Sequence, residues 1–157
     1  MFAVPMYTCG FAALMKKLSE THNTLASVFM IIFLWGAMGG FMIHIFLCLM
    51  PTVYQHIMKK NDPGLARDVI ESVFRQIYVP FFTLYSMLVI VPAAAVIVMI
   101  INGVLPLPFW CVVLNPVAFQ IIGLLLRATK LKIFVDAPGC CAASLGLAMY
   151  GVLALML

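Results

Sequence analysis

The chain has 157 residues, of which 66% are hydrophobic and only 9% are charged, and its net charge is +4. A soluble domain usually has about 25% charged residues, so this chain lacks the polar surface of a water-soluble globular protein. Its nine Lys and Arg lie between apolar runs and are not interleaved with aromatic residues. This pattern disfavours nucleic acid as a partner and favours anionic membrane lipids. The apolar runs do not alternate with polar residues, so they predict membrane helices and not a barrel.

The first apolar run, residues 1–15, is short. As a helix it would be about 22 Å long, whereas the hydrocarbon core of a bilayer is about 30 Å thick. It has no basic start, so a cleaved signal peptide is not expected. Two interpretations stay open: a tilted span in a locally thinned bilayer, or the end of a span that begins upstream of Met1. The polar residues 16–23 then predict a connection between helices.

Residues 24–50 contain no charged side chain and predict a membrane-spanning helix of about 40 Å that ends at Pro51. Gly36, Gly40 and His44 recur at every fourth position and therefore share one face. Small residues let another helix approach, and an imidazole inside a membrane needs a polar partner. We therefore expect this face to pack on protein and His44 to point into the bundle, where the nearest polar candidates are Tyr85, Ser86 and Asn115.

Residues 51–77 form the only long polar region. Asp62 followed by Pro63 predicts a helix start, because Asp accepts bonds from free amides and Pro has none to leave unpaired. Apolar residues at helical spacing then predict a helix over residues 63–77. It is either an interfacial helix on the membrane surface or an extension of the next span that stands out of the bilayer.

Residues 76–126 carry no charge until Arg127 and would make a helix of about 77 Å, too long for one crossing. The turn-forming residues 102–108 divide this run into spans over 78–101 and 109–126. Pro92 should kink the first of these. A fourth span is predicted over residues 137–157, where a stripe of small residues, including Gly139, Ala143 and Gly146, forms a packing face.

Asn115 and Pro116 lie in the middle of the predicted span 109–126. Pro116 leaves the carbonyl of Val112 without its usual donor, and the Asn115 amide can replace it. This break is either a kink without a ligand or a point where backbone contacts a substrate. Gln120 and Arg127 share a face with Pro116 that lines a polar cleft or lets Arg127 reach the membrane surface.

The basic residues predict an orientation. Seven lie in the second and fourth connections, two in the first and none in the third. By the positive-inside rule, the connections at residues 51–77 and 127–136 lie in the cytoplasm and the C-terminus on the outer side of the cell membrane. The sequence contains no internal repeat and predicts one helical membrane domain with four spans and a short N-terminal apolar segment.

No catalytic pattern is visible, and no metal or cofactor is expected. The five cysteines form no CxxC pair. His44 and Cys48 lie four residues apart, but no second pair completes a metal site. Three hypotheses stay open: a bundle that binds or moves a lipid or small apolar ligand, a membrane enzyme or redox protein that uses His44, and a structural subunit that forms homo-oligomers. The candidate ligand-binding residues are His44, Tyr85, Ser86, Asn115 and Gln120.

The segment from residue 105 to residue 127 combines Pro108, Trp110, Asn115 and Pro116, and a small-residue helix follows it. In this it resembles an uncharacterised bacterial family of polytopic membrane proteins, which have a Pro, an aromatic residue and Asn-Pro in their penultimate helix. The resemblance covers roughly the C-terminal two-thirds of the chain. It implies a helical membrane fold and a longer N-terminal part, and it implies no activity.

Overall fold

The computed structural model describes residues 3–59 and 62–157, except for the side chains of residues 3 and 135–141. Within this part the regular elements are all helical, which confirms the prediction of an all-helical fold. They are α1 (Ala3–Met58), α2 (Pro63–Tyr85), α3 (Val91–Ile101), α4 (Pro116–Ala128) and α5 (Lys132–Met156). A π-helical segment, Ser86–Ile90, joins α2 to α3, and a 3-10 turn, Phe109–Val113, precedes α4.

Helix α1 is a hairpin of two helical arms that reverse direction at His22, where φ is −136° and ψ is 63°. In a straight helix Phe11 and Phe33 would lie about 33 Å apart, but their rings stack with centroids 4.0 Å apart. The N-terminal arm (3–21) is therefore antiparallel to the long arm (23–58). The reversal lies within residues 16–23, where the sequence predicts a connection, but only His22 leaves the helix. Leu18 is buried there while Lys16 and Lys17 are exposed, so the residues before His22 form an amphipathic end of the N-terminal arm.

The long arm also continues through Pro51 to Met58, beyond the end predicted from the sequence. A proline removes one backbone hydrogen bond from a helix and does not always end it. Residues 51–56 are exposed, so the proline lies on a helical segment that has no close packing around it. Helix α1 contacts α2, and Ala66 on α2 is fully buried.

Helices α2 and α3 form one continuous helix with the π-helical segment between them, from Pro63 to Ile101, which we call the central helix. The helix over residues 63–77 is thus an extension of the next helix, the second of the two alternatives, and not a separate element. Its predicted start is confirmed, since the Oδ1 atom of Asp62 accepts a bond from the Leu65 amide at 2.9 Å.

The expected disturbance at Pro92 takes the form of the π-helical segment directly before it. The amide of Val91 donates to the carbonyl of Ser86, five residues earlier. Since Pro92 has no amide to donate, the wider turn accommodates its ring without breaking the helix.

The predicted single helix over residues 109–126 is divided. A 3-10 turn ends at Val113, Asn115 is extended, and α4 begins at Pro116. The 13 residues of α4 are about 20 Å long, shorter than the hydrocarbon core. Helix α5 begins at Lys132, five residues before the predicted start, and its 25 residues are about 38 Å long.

Helix α5 packs against both α1 and α4. Its Tyr150 packs edge-on against the stacked pair of Phe11 and Phe33 from the two arms, and these buried rings form the centre of the core. A Cβ atom on Gly10 would lie 2.9 Å from the amide nitrogen of Gly151. The first and last helices therefore cross at a distance that only glycine permits.

Most of the basic residues lie away from the His22 turn. Lys17, Thr21, Val104 and Leu157 line one small cavity, so the His22 turn, the loop after α3 and the C-terminal end lie together. The end of α1 at Met58, the start of α2 at Pro63 and the connection at 129–131 lie away from this cavity, and we call this part of the molecule the charged end. Its described basic residues are Lys59, Arg67, Arg75, Arg127, Lys130 and Lys132; Lys60 lies outside the described residues.

The surface between the two ends is strongly apolar. Large side chains such as Trp35 (67% exposed), Met38 (71%) and Leu124 (66%) point outward. Two helices, Val4–Met58 and Pro63–Ile101, are long and apolar enough, by length and composition, to cross a membrane.

Candidate functional site: an apolar groove and a polar contact at the α4 break

An open groove of about 690 Å3 lies between the two arms of α1. The N-terminal arm contributes Val4, Pro5, Thr8 and Cys9, and the long arm contributes Leu34, Ala37, Met38, Gly39, Phe41 and Met42. The groove exists because the arms reverse at one residue and then run side by side. Small residues on the long arm leave space between them.

The lining of this groove is almost entirely apolar, and its mouth lies on the apolar outer surface. Its volume is in the range of ligand pockets in proteins. A group the size of a water molecule occupies ~30 Å3, so the groove holds roughly 20 methylene-sized groups. This shape and chemistry fit one hydrocarbon chain.

A separate polar contact joins the central helix to α4. The hydroxyl of Tyr85 donates a hydrogen bond to Oε1 of Gln120. Both residues were candidates from the sequence, and the fold brings them together. Helix α4 otherwise packs mainly on α5 and meets the central helix at the π-helical segment. The bond therefore lies where the short helix touches the long one.

Asn115 is buried (3% exposed) and caps α4. Its Oδ1 atom accepts bonds from the amides of Val117 and Ala118, and its Nδ2 atom donates to the carbonyl of Val112 at 2.6 Å. This last bond is the replacement expected for the donor that Pro116 lacks. These bonds use both the oxygen and the nitrogen of the side-chain amide, so no ligand is needed to explain why Asn115 is buried.

His44 does not point into the bundle. Its side chain is exposed, and the neighbouring Ile43 is buried instead. The expected orientation of His44 is wrong. A line through every fourth residue winds around the helix, so it faces the central helix at the two glycines and the outside at His44. Tyr85 is bonded to Gln120 and Asn115 to its own helix, so neither is a partner of His44.

Ser86 is also separate from the Tyr85 contact. Its hydroxyl donates to the carbonyl of Phe82, one turn earlier on the same helix. Such a bond satisfies the hydroxyl locally and leaves it little capacity to donate elsewhere. The structure thus brings Tyr85 and Gln120 together, and it keeps His44 and Ser86 apart from them.

The candidate packing residues lie at helix contacts in three cases. A Cβ atom on Gly36 would lie 2.8 Å from the Leu88 amide nitrogen, and one on Gly40 would lie 3.4 Å from a Leu88 methyl group. A Cβ atom on Gly146 would lie 2.3 Å from the Cα atom of Pro116. Ala143 is half-buried, and Gly139 falls within residues 135–141, whose side chains are outside the described part.

The groove residues were not among the candidates from the sequence. The long-arm lining positions recur with helical spacing, but a lipid-facing stripe gives the same pattern. The reversal at His22, which creates the groove, has no Gly or Pro signal. Sequence reasoning therefore had no means to distinguish a groove wall from an outer surface.

Comparison with known proteins identifies the family of this chain but does not indicate an activity. None of the curated proteins and none of the solved structures compared with the chain matches it. One family model matches residues 1–157, described as "Family of unknown function (DUF6796)". The match covers the whole chain, and not only the C-terminal two-thirds that carry the resemblance noted above. The protein is accordingly a member of DUF6796, a family of unknown function.

Proposed function

We propose that the protein is an integral membrane protein of the cell membrane that binds one acyl chain of a lipid in the groove between the two arms of α1. The groove itself is the observation that carries this proposal: its apolar lining and volume suit a hydrocarbon chain. Because the mouth is bordered by exposed apolar side chains, a ligand would enter through hydrocarbon and not through water.

The apolar exterior supports the membrane part of the proposal. A soluble monomer rarely exposes apolar patches larger than a few hundred Å2, whereas this molecule exposes large apolar side chains on every helix. The charges lie toward the two ends. In the proposed arrangement the four expected crossings are the long arm, the central helix, the broken segment that ends in α4, and α5. The N-terminal arm, about 28 Å long, lies beside these four crossings.

The two other hypotheses have less support. An enzyme that uses His44 lacks a polar group beside the exposed imidazole in the described structure. A homo-oligomer built on the glycine faces would need those faces free, but Gly36 and Gly146 meet Leu88 and Pro116 of the same chain. We therefore favour lipid binding over both.

The groove can be tested with a matched pair of variants. We expect a phospholipid with a photoreactive acyl chain to crosslink in nanodiscs to peptides that contain residues 4–9 and 34–42. Cys9→Trp places an indole in the groove and should lower this labelling several-fold. Cys48→Trp makes the same change at an exposed position outside the lining and should leave the labelling unchanged.

Two results would contradict the proposal. One is crosslinking of wild-type protein spread evenly over its outer surface, and this result does not depend on any variant folding. The other is equal labelling of the two tryptophan variants. Release of the protein from membranes by alkaline carbonate would refute the membrane location itself.

A further inference from the structure

The Tyr85–Gln120 contact leaves part of Gln120 without a partner. A glutamine side chain has one carbonyl oxygen and two amide hydrogens. The oxygen accepts the Tyr85 hydroxyl, and the hydrogen bonds of the described residues include none from the Nε2 atom, which is not fully buried. In hydrocarbon an unpaired amide group is unfavourable by several kcal/mol. The two donors are therefore available to a group outside the described chain.

Gln120 also has a charged neighbour on its own face of α4. Arg127 is seven residues later, so the two side chains share a face and lie about 10 Å apart along the helix axis. Arg127 is exposed at the charged end. Side chains on a helix lean toward its N-terminus, so the guanidinium leans toward Gln120. This lean brings the guanidinium closer to the Gln120 amide than the axial spacing of the two residues. The distance between the two groups is then similar to the ~5–8 Å thickness of the polar layer of one leaflet.

From this geometry we propose that Gln120 and Arg127 bind the polar part of a glycerophospholipid. The Gln120 amide donates to an ester carbonyl oxygen, and the Arg127 guanidinium pairs with the phosphate. The Tyr85 hydroxyl bonds only to the oxygen of Gln120, which leaves both amide hydrogens for the lipid. The inference rests on the proposed membrane location, and it does not rest on the groove, which lies between other helices.

Two variants separate this role from a purely structural one. Gln120→Met and Tyr85→Phe both remove the same interhelical hydrogen bond, but only Gln120→Met removes the amide donors. The probe is ester-linked phosphatidylglycerol in nanodiscs of phosphatidylcholine, with native mass spectrometry as the readout. We expect Gln120→Met to lower its retention about threefold, the size of a typical intramembrane hydrogen bond. Tyr85→Phe should retain most of it.

Lipid chemistry provides the control. Ether-linked phosphatidylglycerol with the same chains has no ester carbonyl, so wild-type protein should retain it about as weakly as Gln120→Met retains the ester lipid. Arg127→Gln should reduce the preference for phosphatidylglycerol over phosphatidylcholine. Equal retention by Gln120→Met and Tyr85→Phe would overturn the inference, as would equal binding of ester and ether lipids by wild-type protein.

The result of the lipid-retention experiment does not depend on whether the groove binds an acyl chain. Loss of labelling in Cys9→Trp with normal discrimination between ester and ether lipids would support both sites. Normal discrimination together with unselective groove labelling would refute only the acyl-chain groove. Release by carbonate would refute the membrane location and this inference together.

Discussion

Single glycines determine how closely the helices of this protein approach. At Gly146 an added Cβ atom would lie 2.3 Å from the Pro116 Cα atom and 3.0 Å from the Asn115 carbonyl oxygen. These are backbone atoms, so they cannot move aside as a flexible side chain does. At Gly40 the nearest atom is a methyl group of Leu88 at 3.4 Å, which can rotate.

This difference predicts unequal effects of the same substitution. Gly146→Ala should lower the free energy of unfolding by about 1–3 kcal/mol, because the extra methyl group overpacks the α4–α5 contact. Gly40→Ala should change it little, since Ala also favours the helix. Thermal unfolding of both variants in one mild detergent checks this, and equal stability would show that α4 and α5 are not in such close contact.

The candidate residues show which parts of the site could be predicted from sequence. The role of Asn115 as a replacement donor for the Val112 carbonyl follows from Pro116 alone, and the structure has that bond. The orientation of His44 does not follow from its spacing with Gly36 and Gly40. A step of four residues is longer than one turn of 3.6 residues, so His44 lies about 80° around the helix from Gly36, and spacing alone does not say which part of that arc the neighbouring helix covers.

At the scale of elements, local chemistry predicts helix starts better than helix ends. Asp62 and Asn115 both cap helices that begin with Pro, because this pair satisfies the first amides whatever surrounds it. The polar residues 16–23 indicate where the chain reverses but not that His22 alone leaves the helix, and Pro51 does not end the long arm. Both a polar stretch and a proline are compatible with a continuing helix, so these bounds do not follow from the local sequence.

The two caps differ in their surroundings, which leads to a prediction. Asn115→Ala should lower the free energy of unfolding by about 2 kcal/mol or more, because it removes the cap and also leaves the Val112 carbonyl without a donor. Asp62→Ala removes an exposed cap and should cost about 1 kcal/mol. The measurement is thermal unfolding of both variants by circular dichroism. A larger loss for Asp62→Ala would contradict this account of the α4 break.

At the scale of the whole molecule, the charge count divides the connections into two groups. The His22 turn and the loop after α3 lie together, and the helix ends richest in Lys and Arg lie away from them. The positive-inside rule predicts that the two groups lie on opposite sides of a membrane, and this orientation stays a prediction.

The membrane orientation predicted from this grouping can be measured directly. In a cysteine-free version, single cysteines at Asp62 and Val104 should react oppositely with a membrane-impermeant thiol reagent in intact cells. We expect labelling at position 104 and not at position 62, because the positive-inside rule places the charged end in the cytoplasm. Labelling at position 62 alone would reverse the orientation, and labelling at both would refute a crossing between them.

The crossing of Gly10 with Gly151 has a consequence for biogenesis. It joins α1 to α5, and the core ring of Tyr150 belongs to α5, which leaves the ribosome after the other four helices. Contacts between such distant segments form slowly, since their loop must close before any packing is gained. Until α5 is made, the N-terminal arm lies beside the long arm without this packing partner. Chains interrupted before α5 should expose that arm and become substrates for quality-control proteases.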